Sequence, residues 1–199
     1  MQLSSAPWWA WVLVALAAST VISVLIGKAL ARASAAYPPS PAAPPALVAN
    51  RRRLDRDLPV ALGRGPVGFL VVDVDHFTTY RETHGQDAGD DALRRIATVL
   101  SAQVRPTDIV YRYRGDQLCV LLADATPPEA SLVAERIRAG VEATDFPGAE
   151  SQPAGRITVS VGLVVAEAAN ADELTERADR ALDAAKHGGR NRVEVSVGG

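Results

Sequence analysis

A continuous apolar run at residues 67–75, VGFLVVDVD, constrains the fold more than any other part of the chain. Its first six residues carry no polar side chain, and the acids Asp73 and Asp75 close it. A run without polar–apolar alternation is typical of a strand in the interior of a sheet. We therefore expect a buried strand whose last residues emerge at an edge of the sheet.

The neighbouring segments alternate between helical and extended patterns. Within residues 89–103, Leu93, Ile96 and Leu100 recur at helical spacing. Residues 111–122, YRYRGDQLCVLL, indicate two strands joined by a tight turn. Further helices are predicted at 46–62, 127–143 and 172–189, and further strands at 155–165 and 190–197. This order predicts an α+β fold in which helices cover one mainly antiparallel sheet.

The amino-terminal segment, residues 1–32, has a different character. Residues 8–26 carry no charge and are long enough to cross a bilayer, which predicts a transmembrane helix at about 8–27. Tryptophans cluster at one end, and Lys28 and Arg32 follow the other. This asymmetry predicts a single-pass protein of the inner or plasma membrane, with its carboxyl-terminal domain in the cytoplasm.

A cleaved signal peptide is the alternative for this segment, and the small-residue stretch ALARASAA favours it. Signal peptides carry a positive n-region and a shorter apolar core, and the sequence has neither. Residues 33–45 are rich in Pro and Ala and predict a semi-extended linker. The globular domain is expected at 46–199.

Composition excludes several classes of function. A formal net charge of -2 without an evident basic face gives no reason to expect a nucleic-acid partner. The single cysteine, Cys119, rules out an internal disulfide framework and lies in an apolar strand, which predicts a packing role. The three histidines are dispersed without ligand spacing, so we expect no zinc site.

Six segments of the predicted domain resemble, in order and spacing, the motifs of one known family. They are NRR (50–52), DVDHF (73–77), HGQDAGDDAL (84–93), RYRGDQL (112–118), ITVSVGL (157–163) and ADRALDAAKHGGRN (178–191). The chain resembles the GGDEF domain of diguanylate cyclases from about Asn50 to Val197. The resemblance implies a fold like the palm domains of nucleotide cyclases and polymerases.

The resemblance also implies a reaction and its metal. In that family two domains meet face to face, and the 3′-hydroxyl of each GTP attacks the α-phosphate of the other. The products are cyclic di-GMP and two pyrophosphates. The Mg²⁺ ligands implied here are the carboxylate of Asp73, the carbonyl of Val74 and the carboxylate of Asp116, which would also be the catalytic acid of the hairpin. Hard oxygen ligands of this kind suit Mg²⁺.

The remaining implied sites bind nucleotides. Asp90 matches a guanine-recognising acid, and Lys186 and Arg190 match two cations that hold the GTP phosphates. Each has a structural alternative, because Asp90 could cap its helix and the two cations lie near a helix carboxyl end. Arg105 and Asp108 match the Arg-x-x-Asp site at which family members bind their product, cyclic di-GMP.

The catalytic motifs depart from the family pattern at five positions. Arg114 replaces the first glycine of the hairpin, where it is expected to strain the backbone, unless the turn changes, and to place a bulky side chain in the path of substrate. Gln117 replaces the second acid and brings no charge to a dication site. Thr78, Arg81 and Gln86 stand where the family has lysine, asparagine and histidine. Each lost polar group aimed at developing charge can cost ~10²–10³ in rate.

The sequence therefore favours a membrane-anchored, degenerate GGDEF domain that is catalytically inactive and acts as a cyclic di-GMP receptor or signalling module. One alternative is a weakly active diguanylate cyclase that uses Asp73 and Asp116 with Mg²⁺ and GTP. A second alternative is a ligand-free scaffold that only forms a homodimer.

Overall fold

The structure is a computed structural model that describes residues 48–167 and 170–196. The predicted transmembrane helix at 8–27 and the linker at 33–45 lie outside these residues. Within the described ranges, no helix is both long and apolar enough to span a bilayer. The anchor and its orientation therefore stay predictions.

Within the described residues, five α-helices, one short 3-10 helix (Ala149–Ser151) and five strands follow one another in an α+β arrangement. The helices are α1 (Arg51–Leu62), α2 (Phe77–His84), α3 (Gln86–Ala102), α4 (Pro127–Glu142) and α5 (Ala171–His187). The strands are β1 (Val67–Val74), β2 (Ile109–Arg112), β3 (Leu118–Ala123), β4 (Val159–Ala166) and β5 (Val193–Ser196).

Polar side chains fix the start of three helices. Asn50 accepts a hydrogen bond from the backbone N–H of Arg53 and begins α1. Thr126 and Glu129 form a reciprocal capping box at the start of α4, and Asn170 caps α5. Such caps satisfy backbone N–H groups that have no partner within the helix.

The strands form one mixed sheet in the order β2-β3-β1-β4-β5. The central strand β1 pairs antiparallel with both β3 and β4, and β2 pairs antiparallel with β3. Only the pairing of β4 with β5 is parallel among the described strands. The predicted mainly antiparallel sheet and the α+β fold class are confirmed.

Helices cover both faces of this sheet. Leu70 and Val72 of β1 belong to a core that also contains residues of α2, α3 and α4. Phe69 and Val71 belong to a second core with residues of α1 and α5. All residues of β1 except Asp73 are buried, as the apolar run predicts. Cys119 is fully buried in the second core, and its burial raises the pKa of the thiol, so its predicted packing role is confirmed.

Three helical features differ from the sequence prediction. The helix α1 begins at Arg51, five residues after the predicted start at 46, because Asn50 caps it and Ala49 bridges to Tyr111 of β2. The helix α2 was not predicted, because its sequence FTTYRETH is short and buries only Phe77 and Tyr80. The helix α3 begins at Gln86, three residues before the predicted start at 89. Glycine has a poor helix propensity, but Gly89 is tolerated within α3 because α2 packs closely against it.

Candidate functional site

Four elements meet at the edge of the sheet that is formed by strand ends, where β1 finishes and β4 begins. Since Val72 pairs with Leu118, the end of β1 lies beside the turn between β2 and β3. Asp73 pairs with Ser160 at the start of β4, and the carboxyl end of α5 brings Lys186 to the same place. The predicted metal and phosphate residues Asp73 and Lys186 therefore come together, although 113 residues separate them in sequence.

The carboxylate of Asp73 is already engaged by two side chains. Its Oδ2 atom accepts a hydrogen bond from Gln117 Nε2 at 2.8 Å and lies 2.9 Å from Lys186 Nζ. The side chain of Asp73 is only 15% exposed, so these contacts are partly shielded from water. Gln117, which replaces the family's second acid, thus donates to the residue that the resemblance assigns to the metal.

In this arrangement an ammonium group and an amide donor share the Oδ2 atom of Asp73, so a Mg²⁺ ion at that oxygen would have to displace them. Val74 is the buried last residue of β1, and Asp116 in the turn is half-buried. Among the described residues, no three His, Cys, Asp or Glu side chains cluster closely enough to hold a metal. The metal assignment of Asp73, Val74 and Asp116 stays a prediction.

The turn of the hairpin corrects the prediction made for Arg114. Gly115 has a φ of 54°, and the N–H of Gln117 donates to the carbonyl of Arg114 at 2.8 Å. Among the described residues, the non-glycine positions with positive φ do not include Arg114. The expected backbone strain at Arg114 is therefore wrong, because the one remaining glycine takes the left-handed conformation.

The side chain of Arg114 is held against α5. Its Nη1 atom lies 2.7 Å from Asp179 Oδ2, and its guanidinium stacks on the ring of Tyr113 at 4.7 Å from the centroid. Arg51 lies at a similar distance from the same ring, 4.8 Å. Arg114 thus ties the hairpin to a helix, a role that its sequence position did not indicate.

Asp75 is a structural member of the site that sequence reasoning did not single out. It is 4% exposed and accepts hydrogen bonds from Thr158 Oγ1, Ser160 Oγ and the backbone N–H of Asn191. These bonds join the end of β1 to β4 and to the loop after α5. A buried carboxylate needs such donors, because an unpaired charge in the interior is strongly unfavourable. The sequence signal that could have identified Asp75 was its position as the acid at the end of the apolar run.

The loop after α5 positions the second predicted phosphate residue, Arg190. Gly189 has a φ of 118°, and the N–H of Arg190 donates to the carbonyl of Ala185 at 3.0 Å, which is the bond expected of a Schellman motif. Asn191 is held by side-chain hydrogen bonds to Glu142 and Arg138 of α4. Arg190 itself is exposed with a φ of 64° and borders a small cavity of about 220 Å³.

The predicted guanine-binding acid, Asp90, lies within α3 rather than at its start. The N-cap of α3 is Gly85, so the alternative in which Asp90 caps the helix is wrong. Its exposed carboxylate accepts a hydrogen bond from Gln86 Nε2 at 3.4 Å. Arg81, at the family's asparagine position, packs its aliphatic part against Gly89 and its guanidinium over Phe77 at 5.3 Å.

Arg105 and Asp108 lie apart from this edge, in the loop between α3 and β2. Asp108 is 7% exposed and accepts from the backbone N–H groups of Arg105 at 2.9 Å and Ala123 at 3.3 Å. Arg105 Nη2 lies 3.8 Å from Glu129, whose pKa is held below its usual value by hydrogen bonds from Thr126. Asp108 therefore shapes the loop, and any guanine contact by Asp108 stays a prediction.

A large cavity opens beside Arg105, between α1 and the β2–β3 hairpin. Its volume is about 740 Å³, and three arginines line it: Arg53, Arg64 and Arg105. We call it the arginine cavity. Its apolar walls come from Val60, Ala61, Ile109, Leu121 and Ala123.

Polar groups complete the arginine cavity. Asp57 accepts a hydrogen bond from the Tyr111 hydroxyl at 2.8 Å and pairs with Arg53 at 3.1 Å. Burial and the Asp57 carboxylate raise the pKa of Tyr111, so its hydroxyl stays a donor at neutral pH. The cavity therefore combines three arginines and the two carboxylates of Asp57 and Asp124 with apolar walls.

Comparison with known proteins identifies the family. The family model described as "Diguanylate cyclase, GGDEF domain" matches residues 46–192. The chain is 35% identical over 132 residues to the probable diguanylate cyclase DgcT of Escherichia coli, and 36% identical over 134 residues to the response regulator PleD of Caulobacter vibrioides. These matches cover 65% and 66% of the chain but only 29% and 30% of the two relatives.

Solved structures agree with this match. The GGDEF domain of DgcB from Caulobacter crescentus, in complex with c-di-GMP, has a TM-score of 0.68 and 29% identity over 77% of this chain and 94% of that one. The diguanylate cyclase SiaD from Pseudomonas aeruginosa, in complex with its activator SiaC, has a TM-score of 0.67 and 26% identity over 92% of this chain and 70% of that one. The chain belongs to the GGDEF domain family of diguanylate cyclases.

Proposed function

We propose that this chain is a membrane-anchored receptor for cyclic di-GMP that does not make the dinucleotide itself. The observation that carries the proposal is the arginine cavity, which contains Arg105 of the family's product-binding motif. Its volume of about 740 Å³ lies within the range of roughly 300–1,000 Å³ that is typical of small-molecule sites.

The chemistry of the arginine cavity suits a cyclic dinucleotide. Cyclic di-GMP carries two phosphates and two flat bases. A guanidinium can grip the O6 and N7 atoms of guanine in bidentate fashion, and it can bind a phosphate equally well. Arg64 supplies one such group, and Arg53 and Arg105 supply two more if they exchange Asp57 and Glu129 for the ligand. The apolar walls can contact base faces.

The proposed lack of catalysis follows from the contacts around Asp73, at the end of β1. Asp73 accepts from Gln117 and Lys186, so the metal-binding acid and a phosphate-binding cation are engaged with each other. A weakly active cyclase remains the rival function, since Asp73, Lys186 and Arg190 share one edge of the domain. The ligand-free dimerising scaffold is the third hypothesis.

Calorimetric titration of the detergent-solubilised full chain with cyclic di-GMP tests the proposal. We expect saturable binding that Arg105→Ala weakens about tenfold or more, because one bidentate contact is worth roughly 1–3 kcal/mol. Arg180→Ala is the matched control, since Arg180 is an exposed arginine of α5 paired with Glu176. Absence of binding favours the scaffold, and binding that Arg105→Ala leaves unchanged places the ligand elsewhere.

The membrane location is part of the same proposal. The uncharged run at 8–26 and the basic residues after it support a single-pass protein whose carboxyl terminus is cytoplasmic. A reporter enzyme that is active only outside the cell, fused after Gly199, is expected to stay silent. Strong reporter activity, or a mature chain that starts near Ser34, contradicts this topology.

A further inference from the structure

A row of cationic side chains follows the solvent side of α1. Arg52, Arg56 and Val60 are spaced four residues apart and so share one face of the helix. Arg64 follows at the same spacing, two residues after the helix ends. All four are exposed, and Val60 is one of two large apolar side chains that are exposed in the described part of the chain. We call these four residues the basic stripe.

The positive charge of the basic stripe is not neutralised by its own helix. The two acids of α1 are engaged elsewhere, Asp55 with Arg51 at 2.7 Å and Asp57 with Arg53 at 3.1 Å. Within the described residues, no arginine of the basic stripe forms an ion pair. Three uncompensated guanidinium groups flank an exposed valine on this face.

We propose that the basic stripe docks on the anionic lipid surface of the membrane in which the chain is anchored. Basic residues with interspersed apolar side chains favour lipid headgroups, since the charge is attracted by anionic lipids and the apolar group enters the interface. Only 24 residues, 27–50, separate the uncharged run from α1. At ~3.1 Å per residue this segment keeps α1 within about 75 Å of the bilayer, so docking is close to an intramolecular event.

This inference rests on the proposed anchor, and the test separates the two. The full chain is reconstituted into nanodiscs of phosphatidylcholine alone or of phosphatidylcholine mixed with phosphatidylglycerol. Because Cys119 is buried, a cysteine introduced by Pro59→Cys beside the basic stripe takes a fluorophore selectively. Nitroxide-bearing lipids then quench the fluorophore only when α1 lies at the headgroups.

We expect quenching that is several-fold stronger in the anionic discs and that salt weakens. Adding Arg52→Ala and Arg56→Ala to the labelled chain should reduce it to the phosphatidylcholine level. The matched control is Arg95→Ala with Arg180→Ala, which removes two exposed arginines from other helices. Equal quenching in both lipids, or quenching that the stripe variant leaves unchanged, overturns the proposal.

Failure of the anchor is recognised independently, because the chain would then elute apart from phosphatidylcholine discs. In that event the labelled chain is mixed with phosphatidylglycerol vesicles. Binding that the Arg52→Ala and Arg56→Ala variant abolishes supports the basic stripe without the anchor. Absence of binding, or binding that the variant retains, overturns it.

Discussion

Gln117 shows how one residue can change the character of a site. The amide is close in shape to the glutamate that the family pattern has at this position, yet it donates to Asp73 at 2.8 Å where a carboxylate would repel it. Together with Lys186 it occupies the Oδ2 atom of Asp73 within the protein. The residue therefore affects the charge of the site more than its shape.

Gln117→Glu is expected to increase the affinity of the isolated chain for a divalent cation by about tenfold or more, a free-energy change of ~1.4 kcal/mol. The substitution adds a negative charge and removes the donor from Asp73. Binding of Mn²⁺, followed by electron paramagnetic resonance, gives the readout without any reaction. Gln117→Leu removes the donor without adding charge and should gain much less. Equal affinity of the wild type and Gln117→Glu would show that the hydrogen bond does not control the site.

At the scale of elements, α5 lies directly on β4. Gly162 of β4 permits this approach, since a Cβ atom there would collide with the backbone of α5 at Ala178 and Leu182. Backbone atoms cannot move aside as the end of a flexible side chain can. The close packing of α5 fixes the height of Lys186 above the sheet.

Gly162→Ala is therefore expected to lower the free energy of unfolding by about 2 kcal/mol or more, as overpacked cores do. Urea denaturation followed by circular dichroism measures the loss. Gly63→Ala is the control, because a Cβ atom there meets nothing closer than 3.6 Å and the φ of -77° suits alanine. Equal stability of the two variants would mean that α5 can shift away from β4 without loss.

The helix α4 is secured by an ionised glutamate at each end. Hydrogen bonds from the backbone and side chain of Thr126 lower the pKa of Glu129 at its start. A hydrogen bond from Arg138 and a second from Asn191 lower the pKa of Glu142 at its end. Folding thus favours the ionised form of both glutamates. Glu142 also accepts a hydrogen bond from Asn191, which lies in the loop that carries Arg190.

The lowered pKa values of these two glutamates predict how the stability of the fold changes at low pH. A carboxyl group with a lowered folded pKa contributes stability above its unfolded value, near 4.5, and loses it as pH falls through the folded pKa. The double variant Glu129→Gln, Glu142→Gln should be less stable than wild type at pH 7, and the difference should shrink below about pH 4. Unfolding midpoints of both proteins, measured from pH 7 to below about pH 4, give this difference in stability. Glu176→Gln, an exposed control, should follow the wild type, and a constant difference for the double variant would contradict the prediction.

At the scale of the whole molecule, the two candidate sites lie at separate places on the domain. The Asp73 cluster occupies the sheet edge where β1 ends, whereas the arginine cavity lies between α1 and the outer hairpin. A loss of catalysis at the first site would therefore leave the second one intact. A receptor can arise in this way from the fold of an enzyme.

The full chain incubated with GTP and Mg²⁺ is expected to yield no cyclic di-GMP above a control without protein. The departures at Thr78, Arg81, Gln86 and Gln117 each remove a group that the family pattern supplies, and such losses cost ~10²–10³ in rate apiece. Chromatography of the nucleotides measures the product. Accumulation of product that Asp116→Ala abolishes would instead establish the weak cyclase.

Local patterns in the sequence were sufficient for most of the architecture. The apolar run at 67–75 predicted a buried strand, and helical periodicity located four of the five described α-helices, each start to within five residues. These features depend on near neighbours in sequence, since burial and capping leave a periodic signature. The motif order also identified the family, whereas the short helix α2 left no such signature.

Only the tertiary structure decided which side chains contact one another. The sequence placed Asp73, Gln117 and Lys186 in motifs. It did not show that Gln117 and Lys186, which lie 44 and 113 positions after Asp73, both contact the same carboxylate oxygen of Asp73. It likewise did not show that Gly115 relieves Arg114, or that Asp75 joins β1 to β4 and to the loop after α5. Hydrogen bonds of this kind depend on distances of a few ångströms between remote segments, and strand register and helix packing set those distances.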